Sequence, residues 1–213
     1  MSRFVDILQE RFGAGEPILT EDVLAAFPES SRATVFNRLK ASMLSGEVRQ
    51  YMRGVYYIPE KTWVLGREID VPLDPEKVIR RKYLEDDGET VGFVSGLALE
   101  NRAGVSNQVP GVLEITTNNE TNRMRRIVPF GGYREIILRC PRIPVTSENV
   151  ATLEAIDLIG NVDVSSLDGE ERSAFKEKVS AADAKRLLEA LSAYPKKTIT
   201  QYLKGVSLGL IPA

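Results

Sequence analysis

The stretch SRATVFNRLKASMLSGEVRQYMRGVYYIP, residues 31–59, holds the pattern from which the fold is read. Val35, Leu39 and Met43 recur at i, i+4 and i+8, with Phe36 and Leu44 widening the stripe, so the spacing predicts an amphipathic helix over Arg32–Leu44. Ser30 or Ser31 is placed to cap it, and Gly46 to end it. Two β-prone segments then flank Met52-Arg53-Gly54, and the glycine supplies the backbone freedom that a hairpin bend requires.

Upstream, Phe4, Ile7, Leu8 and Phe12 form an apolar stripe that predicts a first helix, stopped by Gly13 and Gly15. Thr20 is expected to cap a short second helix whose buried face is Val23, Leu24 and Phe27, closed by Pro28. Three helices followed by a hairpin is the order of a winged helix-turn-helix, predicted here over residues 1–60.

A helix that reads DNA must separate a packing face from a face that meets base edges and phosphates. With Val35, Phe36, Leu39 and Met43 packing, the residues left outward are Arg32, Thr34, Asn37, Arg38 and Ala41. Arginine grips guanine and asparagine grips adenine bidentately, each for about 1–3 kcal/mol of discrimination. Ser31 and Thr34 suit phosphate or base-edge contact near the positive end of the helix. The whole chain carries a net charge of −2, so DNA binding requires a local basic patch. Arg32, Arg38, Lys40, Arg49 and Arg53 face only one acid, Glu47, between positions 32 and 53. The candidate DNA-binding set is therefore Ser31, Arg32, Thr34, Asn37, Arg38, Lys40, Arg49 and Arg53, with Arg53 at the hairpin tip. A mixed-charge helix face also suits a protein-docking module, and the three tyrosines Tyr51, Tyr56 and Tyr57 are expected to pack the hairpin onto the helices.

Beyond Pro59 the periodicity weakens, and residues 61–75 read as a partly ordered connector punctuated by Pro72 and Pro75. Residues 76–213 read as a mixed α/β domain with a small sheet. Its expected elements are a helix over Glu76–Leu84, a strand at 90–94, a helix capped by Ser95, and strands at Val112–Thr117, Arg126–Phe130 and Tyr133–Arg139 with a Gly131-Gly132 turn. A helix over Glu148–Ile159 and a helical tail from about 170, broken at Pro195, complete an α+β chain. Arg123, Arg125 and Arg126 form a secondary basic patch that suits nucleic acid, an acidic partner or an exposed sheet face. Glycine-rich Gly92-Phe93-Val94-Ser95-Gly96 matches neither dinucleotide nor P-loop spacing, which favours a close strand-to-helix turn with Ser95 as cap.

The chain has no histidine and one cysteine, which removes Ser-His-Asp and Cys-His nucleophiles and histidine- or cysteine-rich zinc sites. No acids sit at a recognised metal-binding spacing, so no catalytic residue, cofactor or metal is expected. The lone Cys140 and the lack of an apolar run long enough for a membrane span point to a cytoplasmic protein without a membrane partner.

The stretch at 31–59 resembles the N-terminal domain of AbiEi-like antitoxins of type IV toxin–antitoxin systems, chiefly in its Leu39-Lys40…Gly46-Glu47-Val48 step and its Arg53-Gly54-Val55-Tyr56-Tyr57 wing. Ile79-Arg80-Arg81-Lys82-Tyr83, Gly92 to Leu99, Gln108-Val109-Pro110 and Leu113 to Thr117 resemble the effector region of that family, so the likeness spans most of residues 1–160. It implies an autorepressor that binds repeats in its own promoter and counteracts a nucleotidyltransferase-like toxin, with or without a stable complex. It also implies Arg32, Thr34, Asn37 and Arg38 as major-groove readers and Arg53 as the wing contact. The alternative from the residues themselves is a ligand-responsive regulator with a C-terminal sensor domain.

Overall fold

The computed structural model describes residues 2–128, 130 and 135–212. The chain is α+β and divides into two compact units, residues 1–82 and 83–213.

In the first unit α1 (Arg3–Phe12) is capped by Ser2 and buries Phe4, Val5 and Leu8. A two-residue strand β1 (Ile18–Leu19) leads into α2 (Thr20–Ala25). Thr20 is not the cap: Leu19 holds that position, and Asp22 reaches back to accept from the Leu19 amide at 2.8 Å. Helix α3 (Arg32–Leu44) has the expected bounds, and the following hairpin is β2 (Arg49–Met52) with β3 (Val55–Tyr57). The strands form one sheet in the order β1-β3-β2, so the short β1 before α2 closes the sheet on the far side of β3. A core of Leu8, Ile18, Val23, Phe27, Val35, Leu39, Val48 and Tyr56 joins the three helices to this sheet. Burying each large aliphatic side chain contributes about 1.5–3 kcal/mol. Phe4 and Phe27 stack with ring centroids 4.5 Å apart. Leu44, expected on the packing stripe, is 82% exposed because, nine residues after the buried Val35, it stands on the opposite side of the helix.

The segment expected to be a connector is structured. It forms a second hairpin, β4 (Glu60–Val64) and β5 (Arg67–Val71), with residues 60–69 exposed along both strands. The alternation Lys61-Thr62-Trp63-Val64 and the Leu65-Gly66 turn carry the hairpin signal, although it buries little. Then α4 (Pro75–Ile79) starts with Pro75 in its first turn behind the cap Asp74, and passes into a π-helical turn, Arg80–Leu84, where the division between units falls.

The second unit opens with a small hairpin, β6 (Glu85–Asp86) and β7 (Glu89–Thr90), turning at Asp87-Gly88. Its main sheet is β8 (Gly92–Ser95), β9 (Leu113–Thr117), β10 (Met124–Ile127) and β11 (Ile136–Arg139), in the order β10-β11-β9-β8. β9 and β11 run parallel; the outer pairs are antiparallel. The Gly131-Gly132 turn expected between β10 and β11 lies outside the described residues. Helix α5 (Gly96–Arg102) follows β8 directly. Ser95 stands before it but makes no side-chain cap; its hydroxyl is bonded to Thr116 Oγ1 at 3.2 Å on the neighbouring strand. Helices α6 (Val150–Asn161), α7 (Gly169–Ser180), α8 (Ala184–Leu191) and α9 (Lys196–Ser207) share a core of Ile156, Ile159, Phe175, Val179, Leu187 and Tyr202. Pro195 separates the last two. Among the described residues no helix is long and apolar enough to cross a membrane.

Candidate nucleic-acid interface

Helix α3 begins at Ser31, whose hydroxyl accepts from the Thr34 amide at 3.2 Å and shares a 2.9 Å hydrogen bond with the Thr34 hydroxyl. Both side chains proposed for phosphate contact are thus already engaged in shaping the helix end, although both remain exposed. Val35, Leu39 and Ser42 are buried, and Arg32, Ala33, Thr34, Asn37, Arg38, Lys40 and Ala41 are exposed. At about 100° per residue, Asn37 with Ala33 and Ala41 one turn to either side lies opposite the buried line. Small neighbours leave the Asn37 amide room to approach another surface. Lys40 lies on one flank of that line and Arg38 on the other. The Arg32 guanidinium sits over the Phe36 ring at 5.5 Å, which holds it near the helix start.

No acid lies on α3, and among the described residues Arg38, Lys40 and Arg53 have no ion-pair partner. Arg38 also borders a concavity of about 860 Å³ floored by Phe4, Ile7 and Phe27. Arg53 stands at the β2–β3 turn, exposed, next to Gly54 at φ +81°. That turn is anchored, because the Thr20 amide donates to the Gly54 carbonyl at 3.1 Å. The β1–α2 junction therefore positions the turn that carries Arg53. Arg49 is differently placed: its guanidinium is ion-paired with Asp70 on β5, so part of its charge is satisfied within the unit.

The secondary basic patch is neutralised over most of its length. Arg125 pairs with the buried Glu120 at 2.5 Å and Arg126 with Glu135 at 3.0 Å. Burial works against ionising Glu120, but the Asn122 amide groups and Arg125 outweigh it and hold the carboxyl below its usual range. Those two arginines serve ion pairs of the second unit, and only Arg123 of the three is without one among the described residues.

A polar cleft of about 540 Å³ in the second unit was not legible from spacing. Asp157 of α6 sits in it and accepts from the Gly96 amide at 2.8 Å. Burial, reinforced by Glu114, pushes its carboxyl up to about 6, against the hydrogen bond from Gly96. Glu114 is held by Arg139 at 2.6 Å, and Arg142 stacks over Tyr194 at 5.8 Å on the same wall. The available signal was an acid four residues after core Leu153 on a helix, where periodicity assigns an apolar side chain. Among the described residues no group of three or more acids and cysteines is arranged to hold a metal ion.

Comparison with the models of known protein families, with curated proteins and with solved structures found no match.

Proposed function

We propose that the first unit is a winged helix-turn-helix that binds double-stranded DNA, and that the protein represses transcription from its own promoter. The observation that carries this reading is the acid-free outward face of α3, where Asn37 is flanked by Arg38 and Lys40 without ion-pair partners among the described residues. Asn37 and Arg38 read base edges in the major groove, and Lys40 neutralises phosphate. Arg53, carried by the anchored β2–β3 turn, reaches the backbone or minor groove beside the site. The local charge answers the net charge of −2, since a patch and not the whole surface meets the duplex.

The resemblance of residues 31–59 and of the segments between Ile79 and Thr117 to AbiEi-like antitoxins extends the proposal. In that extension the second unit counteracts a nucleotidyltransferase-like toxin of a type IV pair. This half rests on the motif resemblance alone.

The deciding experiment measures binding to the DNA immediately upstream of the gene against scrambled DNA, for wild type and the Asn37→Ala, Arg38→Ala double variant. A salt-sensitive specific complex lost in the variant supports the repressor; equal binding to both DNAs overturns it. Rescue of growth from the adjacent toxin gene tests the second half separately.

The polar cleft around Asp157 favours a second reading, in which the second unit senses a small molecule and adjusts DNA affinity. A metabolite that raises the melting temperature of wild type but not of Arg139→Ala distinguishes it from the antitoxin reading.

A further inference from the structure

The β4–β5 hairpin is a physical anomaly in the first unit. Two strands alone are marginally stable in water, and a hairpin normally needs a third strand or a packed face. Here Trp63 is 71% exposed, Leu65 99%, and Val64 and Ile69 45% each. The sheet contains only these two strands among the described residues, so each strand has an edge with no further strand on it. Exposed apolar side chains on an unpaired edge are the template for adding another strand.

We propose that this hairpin is a homodimerisation arm, in which two copies of the chain pair through their β4 edges, antiparallel and centred on Thr62. The pairing register argues for this edge. The two-residue turn Leu65-Gly66, with φ +50° and +75°, makes Val64 and Arg67 the first pair to exchange backbone hydrogen bonds. Thr62 and Val64 therefore spend their backbone groups on β5, while those of Lys61 and Trp63 point to the free edge. Symmetric β4 pairing sets Lys61 of each copy opposite Trp63 of the other, a cation beside an indole, twice. On the opposite sheet face it brings Val64, Thr62 and Ile69 of both copies into one four-stranded surface, with Glu60 of each copy opposite Val64 of the other and Arg67 at its ends.

Pairing through β5 fails on charge. Its outward positions are Glu68 and Asp70, which a symmetric pair sets opposite one another, and Asp70 is already held by Arg49. A β4-to-β5 contact between copies leaves edges free and grows without closing, whereas β4-to-β4 closes a two-fold dimer. Nucleic acid is a poor occupant, because Glu60, Glu68 and Asp70 outnumber Lys61 and Arg67 on the hairpin.

Trp63 is the only tryptophan in the chain, so indole emission, excited selectively over the seven tyrosines, reports on this edge alone. The test follows sedimentation velocity and Trp63 emission of the full chain from low to high micromolar concentration, for wild type and Lys61→Glu. Lys61 is exposed and pairs with Glu68 across its own hairpin at 2.7 Å, so Glu68→Gln, which breaks the same pair while leaving the β4 edge unchanged, is the control and is expected to keep the wild-type dimer. The expected result is a monomer–dimer equilibrium, with emission moving to shorter wavelength in step with the dimer fraction. Loss of the two Lys–Trp pairs weakens association about tenfold in Lys61→Glu. A monomer throughout, a dimer whose Trp63 emission stays that of a water-exposed indole, or a dimer indifferent to Lys61→Glu each overturns the proposal.

Discussion

The Gly96 amide donates a 2.8 Å hydrogen bond to Oδ2 of Asp157 and the Asn161 side chain bonds the same carboxyl, yet burial outweighs both and pushes it up to about 6. Because the folded protein holds this proton more tightly than the unfolded chain, the contribution to stability is full below the unfolded value of 3.8 and is lost as pH rises through about 6. Ionised Asp157 costs the fold about 2–3 kcal/mol at neutral pH. Asp157→Asn keeps an acceptor for Gly96 without the charge. Urea midpoints measured from acid to neutral pH are expected to fall between pH 3.8 and 6 in wild type more than in the variant. They should also show the variant to be the more stable near neutrality; identical profiles contradict the assignment.

Gly92 on β8 allows a close backbone approach. A Cβ there would lie 2.1 Å from the Tyr83 carbonyl oxygen and 2.8 Å from that of Thr116, and neither is the end of a flexible side chain. Gly92→Ala is therefore expected to destabilise the second unit by about 3 kcal/mol or more, at the severe end of single substitutions. Gly111→Ala meets nothing within 4 Å and serves as the control, with a melting temperature near that of wild type.

Helix α3 was legible because its apolar side chains repeat at 3.6 residues and a capping serine precedes it. The β2–β3 turn was legible because few residues other than glycine accept the φ that Gly54 adopts. What escaped has physical reasons. The β4–β5 hairpin buries almost nothing, so its alternation of polar and apolar side chains does not sort into a core face and a water face. The Arg49–Asp70 and Arg125–Glu120 pairs depend on register and on turns, which composition does not encode, so a run of arginines looked more basic than the surface is. Asp157 was hidden by its own helix, where apolar neighbours fill the pattern and an acid among them gives no spacing signal.

The pairing of Arg49 with Asp70 gives the DNA reading a test in the direction of gain. Removing Asp70 frees a cation on β2 close in sequence to Arg53. Asp70→Ala is expected to tighten DNA binding severalfold at low salt and to steepen its salt dependence by about one counterion. An exposed ion pair contributes only about 0–1 kcal/mol, so the melting temperature should change little. Unchanged affinity in filter-binding titrations would place Arg49 outside the interface.

Asn37 and Arg53 are expected to fail in different ways, and that difference separates reading from anchoring. Asn37 stands on the outward line of α3 and carries no charge, so Asn37→Ala should cost about 1–3 kcal/mol on the specific duplex and little on scrambled DNA. Its salt slope should match that of wild type. Arg53 stands at the anchored turn with its charge unpaired among the described residues. Arg53→Ala should weaken both duplexes alike and reduce the salt slope by about one. Titrations of both duplexes across a salt series give all four quantities. If Asn37→Ala weakens scrambled DNA as much as the specific duplex, α3 is not the reading helix, and the basic turn is left as a non-specific contact.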